Sequence, residues 1–256
     1  MAGNPHILRV FHGWTFVDFG RSLCYNMPKL SGGTKMSVLQ LQNVQYTYKT
    51  QYQQVQALKG ISYEFQPGTV HAIVGKSGSG KTTLLSLMAG LDLPTEGKVL
   101  CQGVSTEDMN LEEYRREKVA VIYQSFRLFP LLTVAENIMY PMELRGVKAK
   151  LAREKAARLV TRVGLPESAL DRYPTMLSGG EQQRVAIARA LGMDTKVLLA
   201  DEPTGNLDTA NSENIFKILQ SLAHEEGYCV VIVTHDLALA EKADRVLELQ
   251  DGTVKN

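Results

Sequence analysis

No apolar run in this sequence approaches the ~18 residues that a membrane-spanning helix needs. The longest, such as Cys229–Val233 and Val119–Tyr123, are short, so the chain is not expected to cross a membrane by itself. Cysteine is scarce: Cys24, Cys101 and Cys229 are odd in number and far apart. They fit neither a disulfide framework nor a zinc site, and they point to a reducing compartment. Neither sign of charge dominates, with 28 Lys and Arg against 27 Asp and Glu and a net +1. That balance argues against a nucleic-acid partner and against an acidic tail. Internal repeats and low-complexity stretches are absent too. What remains is a 256-residue chain, 44% hydrophobic and 21% charged. It is long enough to bury a sizeable core as one large domain or one domain with a modest insertion.

Residues 1–36 differ from the rest. Arg9, Arg21, Lys29 and Lys35 face Asp18 alone, and the apolar cluster from Ile7 to Phe19 lacks the layout of a signal peptide. Ser31-Gly32-Gly33-Thr34 resembles a flexible joint. The segment is read as a disordered extension or an artefact of the start site, with Met36 the natural beginning, in preference to a membrane-surface anchor. From Ser37 the pattern is β-rich: Leu39 and Leu41 alternate, then Ile61, Tyr63 and Phe65 before the Pro67-Gly68 turn. Val70–Val74, Lys196–Ala200 and Tyr228–Val233 are apolar runs suited to strands buried on both faces. Thr82–Ala89 is expected to be a helix. Helical signals dominate from about Thr106 to Arg189, including Lys148–Val163 with Leu151, Leu159, Val160 and Val163 at helical spacing. Arg245–Leu249 and Thr253–Val254 flank Asp251-Gly252, a hairpin signal. Strands alternating with helices predict an α/β fold with a mostly parallel sheet and an inserted helical subdomain over about 106–189.

Gly75-Lys76-Ser77-Gly78-Ser79-Gly80-Lys81-Thr82 satisfies the pattern G-x-x-x-x-G-K-[ST] between a buried strand and a helix. Its glycines let backbone N–H groups curl around phosphate oxygens, and the following helix adds the positive end of its dipole. Lys81 is placed to reach the β- and γ-phosphates, and the Thr82 hydroxyl to ligate Mg²⁺. The run Val197–Ala200 ends in two adjacent carboxylates, Asp201 and Glu202. Such a pair before Pro203 can be a solvated turn. Beside a phosphate loop, the carboxyl ends of parallel strands instead present ligands. Asp201 is then a metal carboxylate, and Glu202 a base able to polarise a water attacking the γ-phosphate.

Leu177-Ser178-Gly179-Gly180-Glu181-Gln182-Gln183-Arg184 precedes the helical run Val185–Leu191. Ser178 and Glu181 suit a capping box, and the same hydroxyl and glycines could offer donors to a second phosphate. On these residues the chain resembles the nucleotide-binding subunit of ATP-binding-cassette (ABC) transporters, from about Ser37 to the C-terminus. It is similar also at Gln124 after Val119–Tyr123, at Asp208 in Gly205-Asn206-Leu207-Asp208, and at His235 after Val230–Thr234. Tyr48 stands where that family has an aromatic that stacks on adenine. Two mild departures are Tyr123, where Phe is commoner, and Lys76 inside the loop.

The resemblance implies an α/β core with an antiparallel β subdomain and a helical subdomain, and it implies ATP and Mg²⁺ as cofactors. Nucleotide contacts would fall to Tyr48, Gly75, Lys76, Ser77, Gly78, Ser79, Gly80, Lys81, Thr82 and Thr83. Ser178, Gly179, Gly180 and Asp208 would serve across a homodimer, two copies holding two ATP head to tail. Thr82, Gln124 and Asp201 would attend the metal. Glu202, His235 and Gln124 would be catalytic, with His235 on the γ-phosphate and Gln124 linking metal and water to a membrane partner. Leu199–Asp208 and Phe129–Ile138 look most like the macrolide-export and lipoprotein-release branch. There the permease is a four-helix membrane protein with a large outer domain, and the ATPase sits on the cytoplasmic face of the membrane. A regulatory module of the cell-division type, controlling an external hydrolase, and an importer ATPase are the alternative readings. A soluble ATPase acting on DNA or ribosomes lacks its usual coiled coil or second cassette here.

Other features read as structural. Lys148, Lys150, Arg153, Lys155, Arg158 and Arg162 suit a solvated helix face. His71, Cys101 and Cys229 suit packing in strands, and Met139, Tyr140 and Met142 suit either core packing or a groove for a partner.

Overall fold

A computed structural model of the chain describes residues 37–49 and 51–255. The extension read at 1–36, and Cys24 with it, lie outside the described residues. In chain order the strands are β1 (Leu39–Lys49), β2 (Gln54–Phe65), β3 (Thr69–Val74), β4 (Glu96–Cys101), β5 (Val104–Ser105), β6 (Val119–Tyr123), β7 (Val197–Asp201), β8 (Cys229–Val233), β9 (Arg245–Gln250) and β10 (Thr253–Val254). The helices are α1 (Lys81–Met88), α2 (Leu111–Glu117), α3 (Val134–Leu144), α4 (Ala149–Arg162), α5 (Gly179–Gly192), α6 (Thr209–Glu226) and α7 (Leu237–Ala240).

Two sheets form. The first is antiparallel, in the order β2-β1-β4-β5; the second runs β10-β9-β3-β8-β7-β6. Within the second, β9, β3, β8, β7 and β6 are parallel, and β10 alone folds back as a hairpin on β9. Period-2 geometry then divides the central strands between two cores. Val230 and Ile232 of β8, with Leu198 and Ala200 of β7, join the core beneath α3, α4, α5 and α6. Cys229, Val231, Val197 and Leu199 point the other way, to α1 and the antiparallel sheet. Continuous apolar runs, with no polar alternation, are what a sheet covered on both faces requires.

Local sequence explains several of these elements. Asp251 (φ 50) and Gly252 (φ 81) are both left-handed, the geometry of the two-residue turns that match strand twist. Ser178 caps α5, accepting from the Glu181 N–H, while the Glu181 carboxylate takes the Ser178 N–H at 2.8 Å. The expected capping box is present.

Within the stretch 106–189, where helical signals dominate, Val119–Tyr123 forms strand β6 and pairs in register with β7, Tyr123 opposite Asp201. Its five apolar residues fit a buried strand and are too few for a stable helix. Leu151 does not belong to the buried face of α4, being 56% exposed. The helix instead buries Ala152, Ala156, Leu159 and Val160, a stripe at spacings of three and four residues, and Leu151 falls outside it, rotated by one residue around the helix. The basic side chains of α4 stay at the surface, Arg153 pairing with Asp171 at 2.8 Å. Met139 and Met142 are core residues; Tyr140 is exposed and its ring packs on Phe129. Among the described residues, no helix is long and apolar enough to cross a membrane.

Cys101 and Cys229 are buried thiols that burial pushes up to about 11 and about 12. His71 is fully enclosed, its Nε2 accepting from the Gln66 N–H at 3.0 Å and its Nδ1 lying 3.2 Å from the Tyr63 hydroxyl. Burial lowers its pKa from 6.5 to about 4. The unfolded chain therefore takes up this proton at a higher pH than the folded one. Stability from neutral His71 is complete above pH 6.5 and is lost as the pH falls toward 4, on the order of 3 kcal/mol. Urea unfolding at pH 7 and pH 4 should show wild type losing more stability than His71→Gln. Parallel losses would acquit His71.

Candidate functional site

The carboxyl ends of β3, β7 and β8 converge on a cleft of about 680 Å³, bordered by β2 and the β9–β10 hairpin. Its floor is the glycine loop. Gly75 leaves β3 with φ 154, and a Cβ there would stand 2.2 Å from the Leu249 carbonyl oxygen and 2.6 Å from Ser79 Oγ. Only glycine fits. Gly80 (φ 102) caps α1 without a side-chain bond, and no acid lies in the first turn, so the helix start keeps free N–H donors and an unopposed dipole. The Lys81 ammonium donates to the carbonyls of Gly75 at 2.7 Å and Lys76 at 3.0 Å. Ser77, Gly78, Gly80, Lys81, Thr82 and Thr83 line the cleft. Gly75, Lys76 and Ser79 are not on its lining; the Ser79 N–H donates to the Lys76 carbonyl at 3.1 Å. Ser79 Oγ is buried and lacks a partner among the described residues.

The acids stand across from the loop. Asp201 ends β7 half-buried, and its pKa is raised by burial first and by the neighbouring Glu202 second. Glu202 turns left-handed, at φ 46, a costly conformation for a non-glycine residue. Its N–H still pairs with the Val233 carbonyl at 2.9 Å. That turn brings the carboxylate back into the cleft, 16% exposed, where His235 Nδ1–H donates to Oε1 at 2.8 Å. The buried Thr234 hydroxyl donates to Oε2 at 3.2 Å. His235 itself is 72% exposed. Tyr48 lines the far end, its hydroxyl 3.1 Å from Thr83 Oγ1 and its ring edge-on to Tyr46 at 4.8 Å.

Tyr48, Ser77, Gly78, Gly80, Lys81, Thr82, Thr83, Asp201, Glu202 and His235 thus share one cavity. Gln124, Ser178, Gly179, Gly180 and Asp208 are not on its lining. Gln124 is fixed twice to Asn206: its Nε2 donates to Asn206 Oδ1 at 3.3 Å, and its own carbonyl accepts from Asn206 Nδ2 at 3.2 Å. Asp208 is the N-cap of α6, accepting from the Asn211 N–H at 2.9 Å, and these bonds hold its carboxyl below the usual range. Gly180 lies against Asn211, since a Cβ there would meet Asn211 Oδ1 at 2.4 Å.

Sequence reasoning missed several residues of the cleft. Val55, Gln56, Ala57 and Lys59 of β2, with Asp251 and Gly252, border it. Gly252 props the loop, its N–H donating to the Ser79 carbonyl at 3.2 Å while its carbonyl accepts from the Lys59 N–H at 2.8 Å. The hairpin was legible as a hairpin. Nothing local said that it buttresses a phosphate loop more than 170 residues away in sequence.

The donor set fits a nucleotide and Mg²⁺. Free helix-start N–H groups, the orphaned Ser79 hydroxyl and Lys81 suit phosphate oxygens. Thr82 and Asp201 are the one-hydroxyl, one-carboxylate arrangement that Mg²⁺ takes when phosphates and water complete its shell.

Comparison with known proteins agrees with this chemistry. The family described as "ABC transporter" matches residues 58–205. The chain is 42% identical over 225 residues to the macrolide export ATP-binding/permease protein MacB of Syntrophobacter fumaroxidans, covering 86% of this chain but 31% of that protein. It is 41% identical to the ABC transporter ATP-binding protein YclH of Bacillus subtilis, covering 85% and 96% of the two chains. Among solved structures, the dimeric ABC transporter cassette MJ0796 superposes with a TM-score of 0.78 at 39% identity, over 85% of this chain and 97% of that one. The same cassette, from Methanocaldococcus jannaschii, has also been solved as a dimer in a post-hydrolysis state bound to ADP and Pi, again with a TM-score of 0.78, at 38% identity.

Proposed function

The chain belongs to the ABC transporter family, and from that premise we propose that it is the ATP-driven motor of a membrane permease carried on another chain. It is an ATP-binding subunit with ATPase chemistry, and Mg²⁺ is its metal. The observation that carries the assignment of the cleft is Glu202, bent left-handed into the same cavity as Lys81, Thr82 and Asp201.

Lys81 and the N–H groups of the loop hold the β- and γ-phosphates, and Tyr48 stacks on the base. Thr82 and Asp201 hold Mg²⁺, which when bound neutralises charge on the phosphates. Glu202 takes a proton from the attacking water, and its carboxylate is oriented by His235 and Thr234. His235, largely exposed at the cleft mouth, then hydrogen-bonds the γ-phosphate. Gln124 attends the metal and the water from the loop after β6. Ser178, Gly179, Gly180 and Asp208 serve the nucleotide of a second copy bound head to tail, which accounts for their position away from this chain's own cleft. Residues 37–256 form the ATPase domain, and 1–36 an extension to it.

The permease is of the four-helix type with a large outer domain, and the ATPase is bound to it at the cytoplasmic face of the membrane. The likeness to a macrolide-export protein supports this branch. Co-purification tests it. Tagged Glu202→Gln, expressed in its native cell and solubilised with ATP and Mg²⁺, should bring down such a permease by mass spectrometry. A six-helix importer permease would move the chain to another branch with unchanged chemistry. Recovery without any membrane protein would overturn the transport reading.

A further inference from the structure

The segment after Gln124 is held in an unusual shape. Phe126 (φ 59) and Arg127 (φ 47) are consecutive left-handed residues, and neither is glycine. A turn bond from the Phe126 N–H to the Tyr123 carbonyl at 3.2 Å starts the bend, and the Arg127 guanidinium lies 3.7 Å over the Tyr123 ring. Left-handed backbone at two adjacent side-chain-bearing positions persists only where surroundings enforce it. Here the enforcement comes from α5. The Arg189 guanidinium donates to the Arg127 carbonyl at 2.6 Å and to the Phe126 carbonyl at 3.0 Å. At the other end of the same helix, the Phe126 ring lies 3.7 Å from the place a Gly179 Cβ would occupy.

We infer that Arg189 is a positioning residue for Gln124, acting by pinning the Phe126–Arg127 bend to the helix that begins at Ser178. A planar fork can bond two neighbouring carbonyls at once, and a lysine ammonium, being a point donor, cannot hold them with the same geometry. Arg189 is partly buried and spends its bonds on neutral carbonyls, so it keeps its charge at some desolvation cost. Gln124 is thereby held from two sides. Asn206, in the loop after β7, grips its amide and carbonyl, while Arg189 fixes the bend two residues on. A displacement of α5 relative to the parallel sheet therefore acts on Gln124 through Arg189. A second copy meeting Ser178–Gly180 would be felt at this chain's own metal site by that route.

This inference rests on the reading of Gln124 as a residue at the metal and water, and a double-mutant cycle separates the two. In full-length protein, Arg189→Met should lower kcat about tenfold while KM for Mg-ATP stays within about threefold, since the defect lies in the chemical step. Gln124→Ala should lower kcat as well. Adding Arg189→Met to Gln124→Ala should then cost less than about twofold more, because residues acting through one another are non-additive. Arg189→Lys should fall between wild type and Arg189→Met, and it replaces the methionine variant in the cycle if thermal unfolding shows that variant to be misfolded. Undiminished loss in the double variant, or wild-type kcat in Arg189→Met, would overturn the inference. Wild-type kcat in Gln124→Ala would overturn the Gln124 reading itself, and the route through it.

Discussion

Glu202→Gln should bind ATP, lose at least about 100-fold of its turnover, and run as a dimer when ATP and Mg²⁺ are present. The substitution is nearly isosteric, and each neighbour can adapt. The amide oxygen still accepts from His235 Nδ1–H, where the wild-type bond is 2.8 Å. Thr234 Oγ1, which donates to Oε2 at 3.2 Å, can rotate its hydroxyl and accept from the amide. The left-handed backbone at this position is no harder for Gln than for Glu, so the fold should be unchanged. What is lost is the ability to take a proton. What is gained is relief of repulsion, because Glu202 already raises the pKa of Asp201 beside it. Removing that negative charge from a cleft that must also accept a triphosphate should favour the bound state. Binding and dimerisation are therefore retained or strengthened while hydrolysis stops. Phosphate-release kinetics, together with light scattering on the eluting protein, measure both halves. Normal turnover would remove Glu202 from the role of base.

How far the site could be seen in the sequence follows from how local each requirement is. The glycine loop announces itself because its backbone conformations belong to residues contiguous in the chain, as Gly75 and Gly80 illustrate. Asp201 and Glu202 were legible because the four apolar residues Val197–Ala200 of β7 lead into them, and parallel strands present their carboxyl ends to ligands. The capping box at Ser178 and the Asp251-Gly252 turn were legible for the same reason. Thr234 was not, since a threonine after a strand has no distinctive signal until β8 is laid beside β7 and its hydroxyl meets Glu202. Asn206 and Arg189 escaped similarly: each acts on the segment Gln124–Arg127 from more than 60 residues away. β6 was legible as the apolar run Val119–Tyr123, but its pairing beside β7 was not, because run length says nothing about which neighbours a strand will pair with. Leu151 misled because helical spacing identifies a stripe without saying how wide the buried face will be.

Lys81→Ala should abolish detectable ATP binding, and its cause is more than a missing charge. The ammonium bridges the carbonyls of Gly75 and Lys76 across the loop, at 2.7 and 3.0 Å, so Lys81 clasps the cradle in addition to its proposed role as a phosphate ligand. Charge-assisted hydrogen bonds contribute about 1.5–3 kcal/mol each, so losing two of them to phosphate weakens binding at least about 100-fold. The loop should nevertheless survive the mutation. Gly75 is held against the Leu249 carbonyl by the close fit that excludes a Cβ, the Ser79 carbonyl is bonded by the Gly252 N–H, and neither contact involves Lys81. Thermal unfolding of Lys81→Ala should therefore stay near wild type while nucleotide titration by calorimetry shows no heat. Lys81→Met, which keeps the apolar stem and removes only the ammonium, should behave alike. A variant that binds ATP with wild-type affinity would make Lys81 a structural clasp alone, and the phosphate charge would then have to be met by the helix start and the loop N–H groups without it.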